Sequence, residues 1–271
     1  MLQPLRVAAV QATAVAGDLL ANVAAAARWV EQAAEHGARL VVLPELFLPG
    51  YDIATLREHP ELDISPDDDR LVPLAEAAAA TGTAVVAGAS AAGAAAGERH
   101  LAVVSVAADG TVAAPYAKQH LWDAERAVFL AGQHGASVIL DGWQLGLGVC
   151  YDGCFPEHAR AAFDAGALGY LCPSAYVVGS EHRRDLYYAA RALDNGMYVV
   201  MAGLVGRCGA EEFSGGTAIY DPQGRPVTRV VGVDGLAVAD LDPTEIDLAR
   251  RFNPFAQDRV ADLGVREDVR L

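Results

Sequence analysis

The sequence predicts an α/β fold in which a mixed β-sheet is covered by helices, and three observations carry this. Short runs rich in Val, Leu and Ala, such as "ARLVVLPE" (38–45) and "MYVVMAG" (197–203), read as strands buried on both faces. Stretches of helical periodicity separate several of them, as crossovers would. Two Asp-Gly pairs, at 109–110 and 141–142, lie between apolar runs and mark hairpins, so the sheet is mixed rather than purely parallel.

In order, "LRVAAVQAT" (5–13) is a buried strand, followed by an amphipathic helix from about Leu19 to His36. The run 38–45 is a second strand, closed by Pro44 and Glu45. Residues 46–68, with Pro49-Gly50 and the acidic "SPDDD", read as loop. A helix is expected from about Asp69 to Thr81, then a strand "TAVVAGAS" (83–90) and a flexible connection "AAGAAAGER". "HLAVVSVAADGTVAAPYAK" (100–118) is a hairpin, and "SVILDGWQLGLGVC" (137–150) a second one that ends at a cysteine. Pro156 suits a helix first turn, with the helix reaching about Ala165. "ALGYLCPS" (167–174) is a strand, 181–195 a helix and "MYVVMAG" a strand. "GTAIYDPQGRPVTRVV" and "GLAVADLD" should close the fold as a meander, leaving 242–271 as a C-terminal arm. No linker or short repeat divides the chain, so one domain over 1–271 is expected.

Composition narrows the function. Of 271 residues, 53% are hydrophobic and 20% charged, which suits a large packed core. A net charge of −15 without any basic run argues against nucleic acid and anionic membranes as partners. The alanine-rich stretches are interrupted by Glu76, Thr81 and glycines, so none makes a membrane span. Arg6 inside the first apolar run, with no basic leader before it, does not suit an export signal. The four cysteines, Cys150, Cys154, Cys172 and Cys208, are then expected as reduced thiols in the cytoplasm.

Against nineteen arginines stands a single lysine, Lys118, at the end of the first hairpin. A solvated salt bridge tolerates either cation. A site that needs a slender point charge does not, because guanidinium is broad, planar and fixed in its fork geometry. A coding bias that strips lysine is the plain alternative. Glu45 ends a buried strand, where ligand sites of α/β sheets tend to lie, although an isolated glutamate there serves equally as a local ion-pair partner. Cys150 ends another strand just before a turn and a helix start, and alone it reads as an ordinary buried cysteine. Together the three offer base, cation and nucleophile, with helix N–H groups near for an anion.

The stretches "LPELFLPGYD" (43–52), "YAKQHLWDAERAVFLAG" (116–132) and "GVCYDGCFPE" (148–157), in this order, resemble the nitrilase superfamily of carbon–nitrogen hydrolases. "RALDNGMYVVMAG" and "FSGGTAIYDPQGRP" add to a resemblance that spans essentially the whole chain. It implies an αββα sandwich with helices on the outer faces, and a homodimer or higher homo-oligomer. It implies Glu45 as general base, Cys150 as nucleophile, and Lys118 with the backbone N–H of Tyr151 as oxyanion stabilisers. Glu125, seven residues after the lysine, would orient Lys118 or the attacking water. No metal or cofactor is implied, and the partner is a small-molecule amide.

Within the superfamily the chain looks most like amidases of short ω-amino monoamides (5-aminopentanamidase-like), whose relatives take ω-guanidino amides. N-carbamoyl amidohydrolase, ω-amidase on dicarboxylic monoamides, nitrilase and a non-catalytic metabolite-binding scaffold are the alternatives. Tyr51, Trp122, Tyr151 and Ala175 are candidate substrate-binding residues, Trp122 and Tyr51 serving equally well as core packing. Asp52, Asp123 and Glu181 could draw a cationic tail. Cys154 stands where relatives acting on dicarboxylic monoamides carry an arginine, which argues mildly against that class, and Thr217 replaces a usual serine without evident consequence. Cys150, Cys154 and His158 fall at helical spacing for a metal site, but Pro156 starts the helix after both thiols. No G-x-S-x-G elbow supports a serine hydrolase, and no context selects a histidine for a papain-like pair. His120 reads as pocket shaping or as a structural hydrogen-bonding residue.

Overall fold

The first apolar run becomes β1 (Leu5–Gln11), buried at every position except Arg6, as a strand covered on both faces must be. The computed structural model describes residues 2–260 and 262–270. In α1 (Leu19–Glu35), Leu19, Asn22, Val23, Ala26, Val30 and Ala33 form the buried stripe, and the Asp18 carboxylate accepts the Ala21 N–H as N-cap. There follow β2 (Leu40–Val42), a short α2 (Ile53–Glu58), α3 (Val72–Thr81), β3 (Ala84–Ala92), and the hairpin of β4 (Arg99–Val106) and β5 (Val112–Ala117). The second hairpin is β6 (Ser137–Leu140) and β7 (Trp143–Leu147), followed by α4 (Pro156–Asp164), β8 (Gly169–Ser174), α5 (Glu181–Asn195) and β9 (Tyr198–Gly203). A small hairpin of β10 (Val205–Cys208) and β11 (Glu211–Ser214) precedes β12 (Ala218–Tyr220), β13 (Pro226–Arg229), β14 (Gly235–Leu241), α6 (Pro243–Phe252) and α7 (Phe255–Asp258).

The strands form two six-stranded mixed sheets, in the orders β14-β1-β2-β3-β4-β5 and β13-β12-β9-β8-β7-β6. α1 and α3 pack beside each other over the first sheet, and α4 and α5 over the second. β1, β2 and β3 meet β8 and β9 across the middle, giving the four-layer αββα arrangement. No helix among the described residues is long and apolar enough to cross a membrane.

Three expectations change. The closing meander breaks up: β12 and β13 pair as a hairpin, but β14 crosses over and runs antiparallel to β1 from Leu241 opposite Leu5 to Gly235 opposite Gln11. The side chain of Gln11 draws it there by donating to the carbonyls of Gly232 and Val233. The loop over 46–68 contains α2, and β10–β11 was not foreseen at all. Residues from 242 onward begin with α6, whose Ile246 and Ala249 are buried, while 262–270 lack regular structure and are exposed.

Candidate active site

Glu45, Lys118 and Cys150 each sit just beyond a strand, where the chain must turn. After β2, Leu43 still bonds to Val86 across the sheet, then Pro44 and Glu45 leave it and Leu46 adopts φ 46°. Room for this turn comes from Gly88 on β3, where a Cβ would lie 2.5 Å from the Glu45 Cα. Lys118 follows β5, its N–H bound to Leu101 O at 2.8 Å and its carbonyl accepting the Gly132 N–H at 2.8 Å. A 3-10 turn at Asp123–Ala127, entered with φ 24° at Asp123, then folds Glu125 back toward the lysine.

Cys150 does not end a strand as expected. β7 stops at Leu147, and Cys150 opens a 3-10 turn, Cys150–Cys154, with φ 41°. A non-glycine residue in the left-handed region is strained, and such strain gathers at functional sites. Leu46, Asp123 and Cys150 are three of the four such residues described, the fourth being Asp141 of the hairpin turn. The expected helix start at Pro156 is real, but it lies beyond this turn.

The structure brings Glu45, Lys118 and Glu125 into direct contact. Lys118 Nζ donates to Glu45 Oε1 at 2.6 Å and to both Glu125 oxygens at 2.8 Å, all with essentially no exposure. Glu125 also accepts from Tyr51 Oη at 2.6 Å and from the Trp122 N–H at 2.7 Å. Glu45 accepts from the lysine at Oε1, the Cys150 thiol lies near enough to favour its charged form, and Oε2 has no partner of hydrogen-bond geometry among the described residues. Burial, reinforced by the Glu125 charge and opposed by Lys118, raises Glu45 to about 7. Burial alone would lower Lys118, but Glu45 and Glu125 outweigh it and hold the ammonium above its usual range. Burial and the Glu45 charge push the Cys150 thiol well up, with Lys118 opposing. Its Sγ lies 3.8 Å from Ala175 O.

A cavity of about 450 Å³ opens onto Cys150 and Glu125, a size that suits a small metabolite. Tyr51, Trp122, Tyr151 and Ala175 all line it. Trp122, 47% exposed, stands edge-on to Tyr151 and is no core residue, whereas Tyr51 both faces the cavity and packs on Phe213. Asp52 and Asp123 line the cavity; Glu181 is not among its lining residues, and Glu211 is. Arg183 also lines it, without an ion-pair partner among the described residues. Arg183 at the start of α5, Glu211 at the start of β11 and Tyr176 just after β8 were missed because they lie outside the stretches that carry the resemblance.

The three residues at metal-like spacing have separate partners: Cys154 meets Tyr176 Oη, and His158 lies between Tyr116 and Tyr170. The ligand-type atoms that do converge are those of His120, Asp152 and His158, and hydrogen bonds within the protein engage all three side chains. His120 stacks on Phe155 and donates to Asp152, so it is a structural hydrogen-bonding residue.

Residues 6–251 match the family model described as carbon-nitrogen hydrolase. The chain belongs to the carbon–nitrogen hydrolase family. Among relatives of this carbon–nitrogen hydrolase, a protein named "Hydrolase in pqqF 5'region" from Pseudomonas protegens is 34% identical over 233 residues, covering 83% of this chain and 79% of its own. The 2-oxoglutaramate amidase of Bacillus subtilis is 29% identical over 247 residues, covering 89% and 92%. An amidase from Nesterenkonia sp. AN1, solved with the acetamide moiety of fluoroacetamide added covalently at its active-site cysteine, superposes with a TM-score of 0.81 at 29% identity, covering 93% and 96%. This carbon–nitrogen hydrolase is thus an amidohydrolase of the nitrilase superfamily.

Proposed function

We propose that this enzyme hydrolyses a small aliphatic primary amide to carboxylate and ammonia through a thioester on Cys150. The observation that carries the reading is the buried contact of one ammonium with two unequal carboxylates beside a cavity that reaches the thiol. As sulfur attacks the amide carbon, its proton passes to Glu45, whose value near 7 suits a group that must both take and give protons. The oxyanion forms against Lys118 and the N–H of Tyr151, which lies in the first turn of a 3-10 element and lacks an acceptor within it. Glu45 then protonates the nitrogen, the C–N bond breaks and ammonia leaves. Water next gives a proton to Glu45 and attacks the thioester. Collapse of the second intermediate expels sulfur, which recovers its proton from Glu45. Glu125 holds Lys118 in place with its remaining acceptor capacity spent on Tyr51 and Trp122.

The tail of the substrate is read from the cavity. Asp52, Asp123 and Glu211 against one arginine, with the rings of Trp122 and Tyr51 near, favour an ω-amino or ω-guanidino group. Arg183 supports a second reading, a dicarboxylic monoamide, since it supplies the cation that Cys154 does not; the Bacillus relative bears the name of such an amidase. The assembly expected with this function is a homodimer or larger, which light scattering on purified protein tests.

Ammonia release from ω-amino, ω-guanidino, ω-carboxy and N-carbamoyl amides, with nitriles as controls, tests the reading. Turnover of at least one primary amide, lost by about 10⁴-fold or more in Cys150→Ala, is expected. Activity confined to nitriles or carbamoyl compounds would overturn it. Asp123→Asn should weaken KM for a cationic amide, and Arg183→Ala for an anionic one.

A further inference from the structure

Asp152 lies two residues past Cys150, is fully buried, and takes no part in the reaction as derived. Its carboxylate accepts four hydrogen bonds. Oδ2 receives the Val149 N–H at 3.0 Å and Tyr116 Oη at 2.7 Å; Oδ1 receives the His120 N–H at 2.9 Å and His120 Nδ1 at 2.8 Å. The Asp152 N–H returns to Val149 O at 2.9 Å, so a closed pair of bonds brackets Cys150 in its strained turn. Tyr116 and His120 stand two residues either side of Lys118. One anion therefore ties the segment that carries the thiol to the segment that carries the ammonium, two pieces of chain from different sheets.

Behind it the donors are ordered. Tyr116 spends its O–H on Asp152, so it accepts from His158 Nε2 at 2.8 Å, and His158 Nδ1 then accepts from Tyr170 Oη at 2.9 Å. This requires neutral His158, in keeping with the burial that holds its value down. Burial pushes Asp152 up, yet the hydrogen bonds from His120, Tyr116 and the Val149 N–H favour the charged form and hold it below its usual range.

We propose that Asp152 is a positioning residue, a buried anion that fixes Cys150 relative to Lys118. The proposal rests on the reading that these two residues act together on the substrate. Asparagine cannot replace the aspartate in either orientation, because each carboxylate oxygen faces one backbone N–H that cannot turn away. Whichever way the amide sits, its NH₂ meets the N–H of Val149 or that of His120.

In Asp152→Asn, kcat should fall about 50-fold or more with KM within about threefold, as misplacement of reacting groups costs rate rather than binding. The rate of Cys150 alkylation by iodoacetamide, read by mass spectrometry, should fall about tenfold or more on the same ground, while thermal unfolding stays cooperative. A kcat within about threefold of the parent, or a lower kcat with unchanged alkylation, overturns the proposal. Should Asp152→Asn fail to fold, Tyr116→Phe decides: it removes one donor and keeps the ring, and kcat should fall by about threefold to tenfold at constant KM. Unchanged kcat there also overturns it. Cys150→Ala separates the two ideas, since turnover in that variant defeats the site reading, whereas a parent-like Asp152→Asn beside a dead Cys150→Ala defeats only the positioning role.

Discussion

Two glutamates share one lysine, and what distinguishes them is the number of donors each receives. Glu125 is held by Lys118, Tyr51 and the Trp122 N–H; Glu45 keeps one oxygen unbonded. The less satisfied carboxylate is the one to which the proposed mechanism gives the proton exchange. With Glu45 raised to about 7, kcat/KM should climb with pH along an acidic limb centred near 7, measurable from pH 5 to 9. The same shift fixes a stability trend. The folded value lies above the ordinary 4.5, so the native state binds the extra proton between the two values. Glu45 thus favours folding fully below about pH 4.5, and that contribution is lost as pH rises through about 7. Glu45→Gln, neutral throughout, should show a flatter dependence of unfolding midpoint on pH across this window. Lys118→Arg retains the charge but must fit a planar fork where Nζ lies 2.6–2.8 Å from two carboxylates. Turnover should drop about 100-fold or more, with a stability loss of about 1–3 kcal/mol from overpacking, checked by steady-state kinetics and denaturant titration. At this scale the lone lysine among arginines was a legible clue, and Glu125 was legible only through the family resemblance, which implies a glutamate seven residues after that lysine. Asp152 was not, since an aspartate in a turn looks like a cap until its four donors are seen.

At the scale of elements, the strands were the readable part and the turns that follow them were not. Runs buried on both faces announce themselves by composition, and helix α5 at Glu181–Asn195 coincides with its expected span. The left-handed residues Leu46 and Cys150 are ordinary in sequence, and their strain is imposed by the tertiary setting. β10 and β11 are short, partly polar strands that need each other and the cavity wall to exist. Gly88 shows how an element sets a residue: its N–H bonds to Pro44 O at 3.1 Å and its carbonyl accepts the Leu48 N–H at 3.2 Å, so β3 grips both sides of the Glu45 turn. Gly88→Ala would force Cβ into that turn. We expect a loss of about 2–4 kcal/mol, as for an overpacked core made worse by contact with backbone, and a fall in kcat larger than the lost folded fraction accounts for. Circular dichroism melts beside active-site titration with iodoacetamide would show both.

For the whole molecule, the question is what keeps two sheets in one register, because the Glu45 and Lys118 segments belong to the first and the Cys150 turn to the second. Apolar packing alone leaves sliding possible, and directional bonds prevent it. Gln11, at the end of β1, reaches across the gap with its amide oxygen and holds the approach to β14 of its own sheet with its amide nitrogen. Its Oε1 accepts the N–H groups of Gly216 at 2.6 Å and Thr217 at 3.1 Å, while Nε2 donates to Gly232 and Val233. Thr217 adds a second tie, its hydroxyl accepting the Gly203 N–H and donating to Val10 O. These ties were invisible in the sequence, where a glutamine at a strand end is unremarkable and Thr217 looked neutral; long-range pairing of the kind that sends β14 to β1 is not encoded by any local pattern. Gln11→Leu keeps the size of the side chain and leaves two N–H groups and two carbonyls without partners. At about 1–3 kcal/mol for each buried group left unsatisfied, partly relieved by water at the half-exposed carbonyls, the loss should reach about 3 kcal/mol. That corresponds to a fall of about 6 °C or more in Tm for a domain of this size. Because the sheets would lose register before the strands melt, kcat should decline at temperatures where far-ultraviolet circular dichroism is still parental. A variant that loses activity only together with its secondary structure would show that packing, and not this amide, holds the two halves of the site together.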